Sequence, residues 1–265
     1  HQEPQRIVVR GYQHFPSDVA EEVISDLYDE DNVGAVQYRQ SIERIMASFP
    51  VEMAAVEHEV AAIQAFIADG RRVAIGQEAS RVESADVYRR DLARLQRIME
   101  AHGVEDAPAY ARKLFMVIEG PGVYLLATRA PVELFPLGSA ELSDEVAALL
   151  DGLRAIGATL RTFVGQQKMD SQEFARVENA LVQALTERQL LGDDEPQVLS
   201  HDRDVQAADC ARVEVINQVI RNADERDRTA VTAIQRRAQE HPDELVIASM
   251  GYAHARWLGT ELQAA

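Results

Sequence analysis

Cysteine is nearly absent from this 265-residue chain. Cys210 stands alone, which excludes an intrachain disulfide and any zinc or iron–sulfur site built on several thiolates. A bound metal would have to sit on His, Asp or Glu. Lysine is scarce too, with Lys113 and Lys168 the only two, and 27 basic residues face 44 acidic ones for a formal charge of -17. That excess repels phosphate backbones and anionic lipid surfaces, so nucleic acid is excluded as a partner class. No uninterrupted apolar run approaches the roughly 18 residues of a membrane helix, and the N-terminus lacks the basic-then-apolar layout of a signal peptide. The expectation is a soluble protein with no membrane-spanning segment. A start at His1 without Met reads as a processed or trimmed product, which leaves the compartment open between cytoplasmic and periplasmic or secreted. A Gly-x-Ser-x-Gly elbow, a Walker loop and a dinucleotide fingerprint are also missing.

What is present is a mix of 46% apolar and 27% charged residues, enough to build a sizeable core. Residues 7–9 are a short β-branched run, followed after the loop 11–17 by helical spacing at 18–24. Helical periodicity fills 36–68, with Pro50 opening a second helix, and 72–78 is a compact apolar strand ending in Glu78. A helix follows over 85–102. Three β-rich runs at 114–118, 123–127 and 132–137, parted by Gly120-Pro121-Gly122 and Arg129-Ala130-Pro131, predict an antiparallel meander. Amphipathic helices are expected over 143–164, 172–191, 205–220 and 228–240, with a surface loop at 192–196. The strand 245–250 and a last short helix close the chain. The pattern predicts an α/β fold with a mixed sheet, a central β-meander and many covering helices. It reads as one domain over 1–265 with helical insertions at about 28–68 and 143–191.

One feature carries chemistry. Gly-Tyr-x-His occurs at Gly11-Tyr12-Gln13-His14 and again at Gly251-Tyr252-Ala253-His254, each time after a short apolar strand. Composition alone predicts roughly 0.01 such matches in the chain, so two are not noise. Ligands in α/β sheets bind beyond the carboxyl ends of strands, where glycine lets the backbone turn sharply. If the first and last strands are neighbours, His14 and His254 face each other near Glu78. Two imidazoles and a carboxylate are a usual divalent-metal triad, which polarises a carbonyl and activates water; without metal they supply a general base and an acid.

The order of these motifs resembles the Tiki/TraB superfamily, which includes ChaN-type haem-binding proteins and erythromycin esterases. The matching residues are Gly11 and His14, Glu78, Glu225-Arg226-Asp227, and Gly251 and His254. The resemblance implies that His14, Glu78 and His254 line the site, with Arg226 reaching it from a helix start. It implies either a divalent metal (Mn, Co or Zn) held by His14, Glu78 and His254 for peptide hydrolysis, or metal-free activation of water as in the esterases. The esterase motif usually has Glu where Tyr12 stands. In the haem-binding branch the same cleft takes haem, with a Tyr or His as axial ligand. Tyr12 and Tyr252 would bind a substrate oxygen or the haem iron. A third implication is a non-catalytic interaction module.

The partner is thus expected to be a small molecule or peptide, and a homo-oligomer is compatible with the sequence. Glu57 rivals Glu78 as the site carboxylate, although its surroundings are helical. Glu57-His58-Glu59 lacks a second His and reads as helix surface, while residues 29–34 read as a solvated acidic loop. His201-Asp202 with Asp204 suits helix capping, and Cys210 a buried structural thiol.

Overall fold

The computed structural model describes residues 7–12, 50–79, 81–192 and 200–264. Its elements run β1 (Ile7–Tyr12), α1 (Pro50–Ala68), β2 (Arg72–Gln77), α2 (Ala85–Ala101), α3 (Ala107–Glu119), α4 (Pro121–Ala127), β3 (Val132–Pro136), α5 (Ala140–Gly165), α6 (Ser171–Glu187), α7 (Arg203–Glu240), β4 (Glu244–Gly251) and α8 (Tyr252–Ala264). The four strands form one sheet in the order β1-β4-β2-β3, and each pairing is parallel. The class is α/β with many helices, as the sequence pattern requires.

The chain comprises two compact units. The first comprises His1–Leu137 with Ala230–Ala265 and contains the sheet; the second is Gly138–Thr229. In the first unit the sheet is covered on both faces, which is why its central strand can be apolar at nearly every position. All eight residues of β4 are buried. On one face Val73, Ile75, Leu245 and Ile247 pack with Val56, Val60 and Ile63 of α1, Met116 of α3 and Leu125 of α4. On the other face Val246, Ala248 and Met250 pack with Ala230 and Ile234 of α7 and Leu258 of α8. The second unit is helical. Leu160, Met169, Val177 and Val205 form one of its apolar clusters, and Ala184, Leu191, Ile216 and Ile220 form another. The expected insertion at 143–191 falls within this unit; of the one at 28–68, residues 50–68 are α1 and the rest lie outside the described residues.

The meander expectation is overturned. Residues 114–118 and 123–127 lie in α3 and α4, and β3 joins β2 in parallel. A short apolar run does not distinguish a strand from a helix buried on most sides, and Leu114, Phe115 and Val123 are such buried helix residues. The breakers have another use. Pro108 and Pro121 sit in the first turns of α3 and α4, and Gly120, at φ +87°, ends one helix and begins the next.

The two helices expected at 205–220 and 228–240 are one 38-residue helix, because residues 221–227 contain neither Gly nor Pro to break it. Glu225-Arg226-Asp227 is therefore helix interior, not helix start. Asp227 is buried and paired with Arg188, whose Nη2 lies 2.6 Å from Asp224 Oδ1. Cys210 is exposed rather than buried. Asp202 does cap α7, accepting from the backbone N–H of Asp204 at 2.9 Å.

Candidate functional site at the carboxyl rim of the sheet

The strand order creates a crevice. β4 returns between β1 and β2, so the first and last strands are neighbours, with Gly11 beside Met250 and Tyr12 beside Gly251. Beyond β2 the chain leads to helices that pack with α4 on the α1 face, whereas β4 runs straight into α8 on the opposite face. Adjacent parallel strands whose exits diverge to opposite faces leave a gap at their carboxyl ends, the usual place for a ligand in such sheets.

Glu78 and the second Gly-Tyr-x-His flank that gap. Glu78 follows the last residue of β2. Its Oε2 accepts the backbone N–H of Gly251 at 2.9 Å, and its Oε1 lies 3.6 Å from Nε2 of His254. Both side chains are largely buried, 11% and 17% exposed. The bond to Gly251 fixes the carboxylate against the end of β4, and α8 brings His254 back over it in its first turn. A carboxylate oxygen and an imidazole nitrogen at this separation can share a proton through a small bridging group or contribute two ligands to one divalent cation.

The other expected residues divide. His14 lies outside the described residues, although β1, which leads to it, ends beside Gly251. Tyr12 is the last residue of β1 and Tyr252 the first of α8, so their backbones meet at the same rim. Arg226 is half-buried in the part of α7 that belongs to the second unit. Glu57 is on α1, where Lys113 Nζ lies 3.3 Å away in an ion pair exposed on both sides. Of the two rival carboxylates, Glu78 is the one beside His254. Among the described residues, which do not include His14, no group of three or more His, Cys, Asp or Glu is arranged to hold a metal.

The structure adds residues that the motif reading passed over. Gln77, the last residue of β2, is buried and donates from Nε2 to the Glu119 carbonyl at 3.0 Å. A Cβ on Gly120 would come within 3.3 Å of that nitrogen. Ser249, paired with Gln77 across the sheet, is completely buried. Glu59 is buried as well, against the expectation of a helix surface, because it shares the sheet-facing side of α1 with Val56, Val60 and Ile63. Burial pushes its carboxyl above the ordinary range, while the Arg10 charge pulls it back. The sequence signal was a polar residue where period two demands an apolar one: Val73, Ile75, then Gln77, and Leu245, Ile247, then Ser249.

No family model matches the chain, and neither does any curated protein or solved structure.

Proposed function

We propose that the protein is a hydrolase of a peptide or ester bond whose chemistry takes place in the crevice between the ends of β2 and β4. The observation that supports this most directly is Glu78 bonded to Gly251 N–H, with His254 Nε2 3.6 Å from its other oxygen. In this reading Glu78 orients the imidazole, and His254 moves a proton between an attacking water and the leaving group. His14, after the neighbouring strand, completes the set. The donor atoms suit a divalent cation such as Mn, Co or Zn, which Glu78, His254 and His14 would hold. When bound, it would polarise the scissile carbonyl and lower the pKa of a coordinated water to about 7. Tyr12 and Tyr252, whose backbones meet at the rim, are the candidates for binding a substrate oxygen.

The test is hydrolysis of peptide and ester panels with and without added Mn, Co or Zn. His254→Ala and His14→Ala should each abolish turnover while leaving thermal unfolding within a few kcal/mol of the parent. Full activity in either variant refutes the mechanism. The meeting of the two tyrosine backbones supports a second reading, a haem-binding protein of the ChaN type. A Soret band on adding hemin, lost in Tyr12→Phe or Tyr252→Phe, would decide for it. Neither turnover nor a Soret band would leave a non-catalytic interaction module.

A further inference from the structure

We propose that Glu59, Gln77 and Ser249 form a separate binding site, between α1 and the sheet, for a small uncharged hydrogen-bond donor of the primary-amide class. The placement follows from strand geometry. Side chains alternate along a strand, so Gln77 and Ser249 lie on the face occupied by Val73, Ile75, Leu245 and Ile247, the face that α1 covers. They are register partners on neighbouring strands, and Arg10 of β1 is the next partner of Ser249. Glu59 reaches the same strand end from α1, close enough for its carboxyl to respond to the Arg10 charge.

Three atoms here are anomalous. Gln77 Oε1, Glu59 Oε1 and Ser249 Oγ are buried with no hydrogen-bond partner among the described residues, and their side chains belong to residues 9%, 9% and 0% exposed. Buried polar groups are nearly always partnered, because an unpartnered one loses its hydration for nothing. One such atom is an ordinary defect. Three brought together by register and helix packing mark a place that expects something to bond to.

Their chemistry selects the occupant. The oxygen of Gln77 can only accept, since its nitrogen is already committed to the Glu119 carbonyl. Glu59 adds a second acceptor, and Ser249 a hydroxyl that can donate. An ammonium would bring a second cation to a place where Arg10 already acts on the Glu59 carboxylate, and a carboxylate would set its oxygens against two acceptors. A primary amide matches the set: its two N–H groups reach Gln77 and Glu59, and its carbonyl accepts from Ser249. The site does not depend on hydrolysis at Glu78 and His254, and it is read by binding without turnover.

The probe is acetamide, with acetate and methyl acetate as controls, followed by calorimetry in solution and by soaking crystals of the full chain. Acetamide should bind in preference to both controls, its nitrogen within hydrogen-bond distance of Gln77 Oε1. Ser249→Ala and Gln77→Leu should each weaken it at least about tenfold. Gln77→Leu also removes the tie to Glu119 and could fail to fold; Ser249→Ala removes no such bond and keeps the test decisive. An ordered water alone in that space would overturn the proposal. So would equal uptake of acetate, binding at crystal soaking concentration only, or undiminished affinity in Ser249→Ala.

Discussion

The two ends of the sheet treat charge in opposite ways. At the amino end Arg72, the first residue of β2, lies 2.7 Å from Asp243 and 3.0 Å from Glu244, the first residue of β4. Arg237, near the end of α7, reaches Glu133 of β3 at 2.7 Å and Glu244 at 2.7 Å. Glu244 is only 3% exposed at its side chain, and two guanidiniums meet its carboxylate. Buried charge is tolerable there because it is saturated. At the carboxyl end His254 Nε2 lies 3.6 Å from Glu78 Oε1, and three buried oxygens lack partners among the described residues. One end spends its polar groups on joining β2, β3 and β4 to α7. The other sets Glu78 beside His254 and leaves the oxygens of Glu59, Gln77 and Ser249 without partners among the described residues, an arrangement suited to recognising a ligand.

Substitutions at the two ends should therefore separate stability from function. The largest effect on folding is expected from Arg237→Met, which strands Glu244 with the largely exposed Arg72 and should lower the unfolding free energy by about 3 kcal/mol in urea titration. Its activity per folded molecule should stay unchanged. Loss of catalysis with intact stability would break the contrast.

A smaller effect, of opposite sign, is expected from Glu59→Gln. Because the folded-state pKa of Glu59 is raised, the native protein holds that proton longer than the unfolded chain. Stability therefore falls as pH rises from the unfolded value through the folded one, and the cost of the buried charge is complete above it. Glu59→Gln should be more stable than the parent at pH 7, by on the order of 1 kcal/mol, and should lose that advantage in acid below the unfolded value. Equal stability at both pH values would show that the carboxyl is not the strained group it looks to be.

The smallest effect is at Glu133, whose carboxyl the Arg237 hydrogen bond holds below its ordinary range. That contribution is present above the unfolded pKa and disappears as pH falls through the folded one. With its side chain 60% exposed it should amount to a few tenths of a kcal/mol, read as a shallower acid slope in Glu133→Gln.

Much of this sheet could be read from the residues. The strands at 7–9, 72–78 and 245–250 were legible because β-branched runs bounded by glycine or a turn admit few other readings, and the carboxylate ending the second does lie beside the imidazole following the last. The runs at 114–118 and 123–127 were not legible. Their residues are apolar whichever way the backbone winds, and only the packing of α3 and α4 against Ile75 and Leu134 separates helix from strand. Helical continuity through 221–227 was hidden for a related reason. Polar residues mark a loop or an exposed stretch of helix equally well, and Arg188, the partner of buried Asp227, lies 39 residues away along the chain. Glu59 was misplaced because its sheet-facing side on α1 depends on where β1 and β4 run beneath it.

The sequence by itself determined the class: alternating apolar strands and amphipathic helices cannot bury their faces except as a sheet covered by helices, and a net charge of -17 repels polyanions whatever the fold. Only the tertiary structure decided that β4 inserts between β1 and β2, since side-chain pattern fixes which face of a strand is buried but not which strand stands next to it. That insertion carries Gly251 to Glu78 and Ser249 to Gln77 across more than half the chain, contacts that separation along the backbone could not reveal.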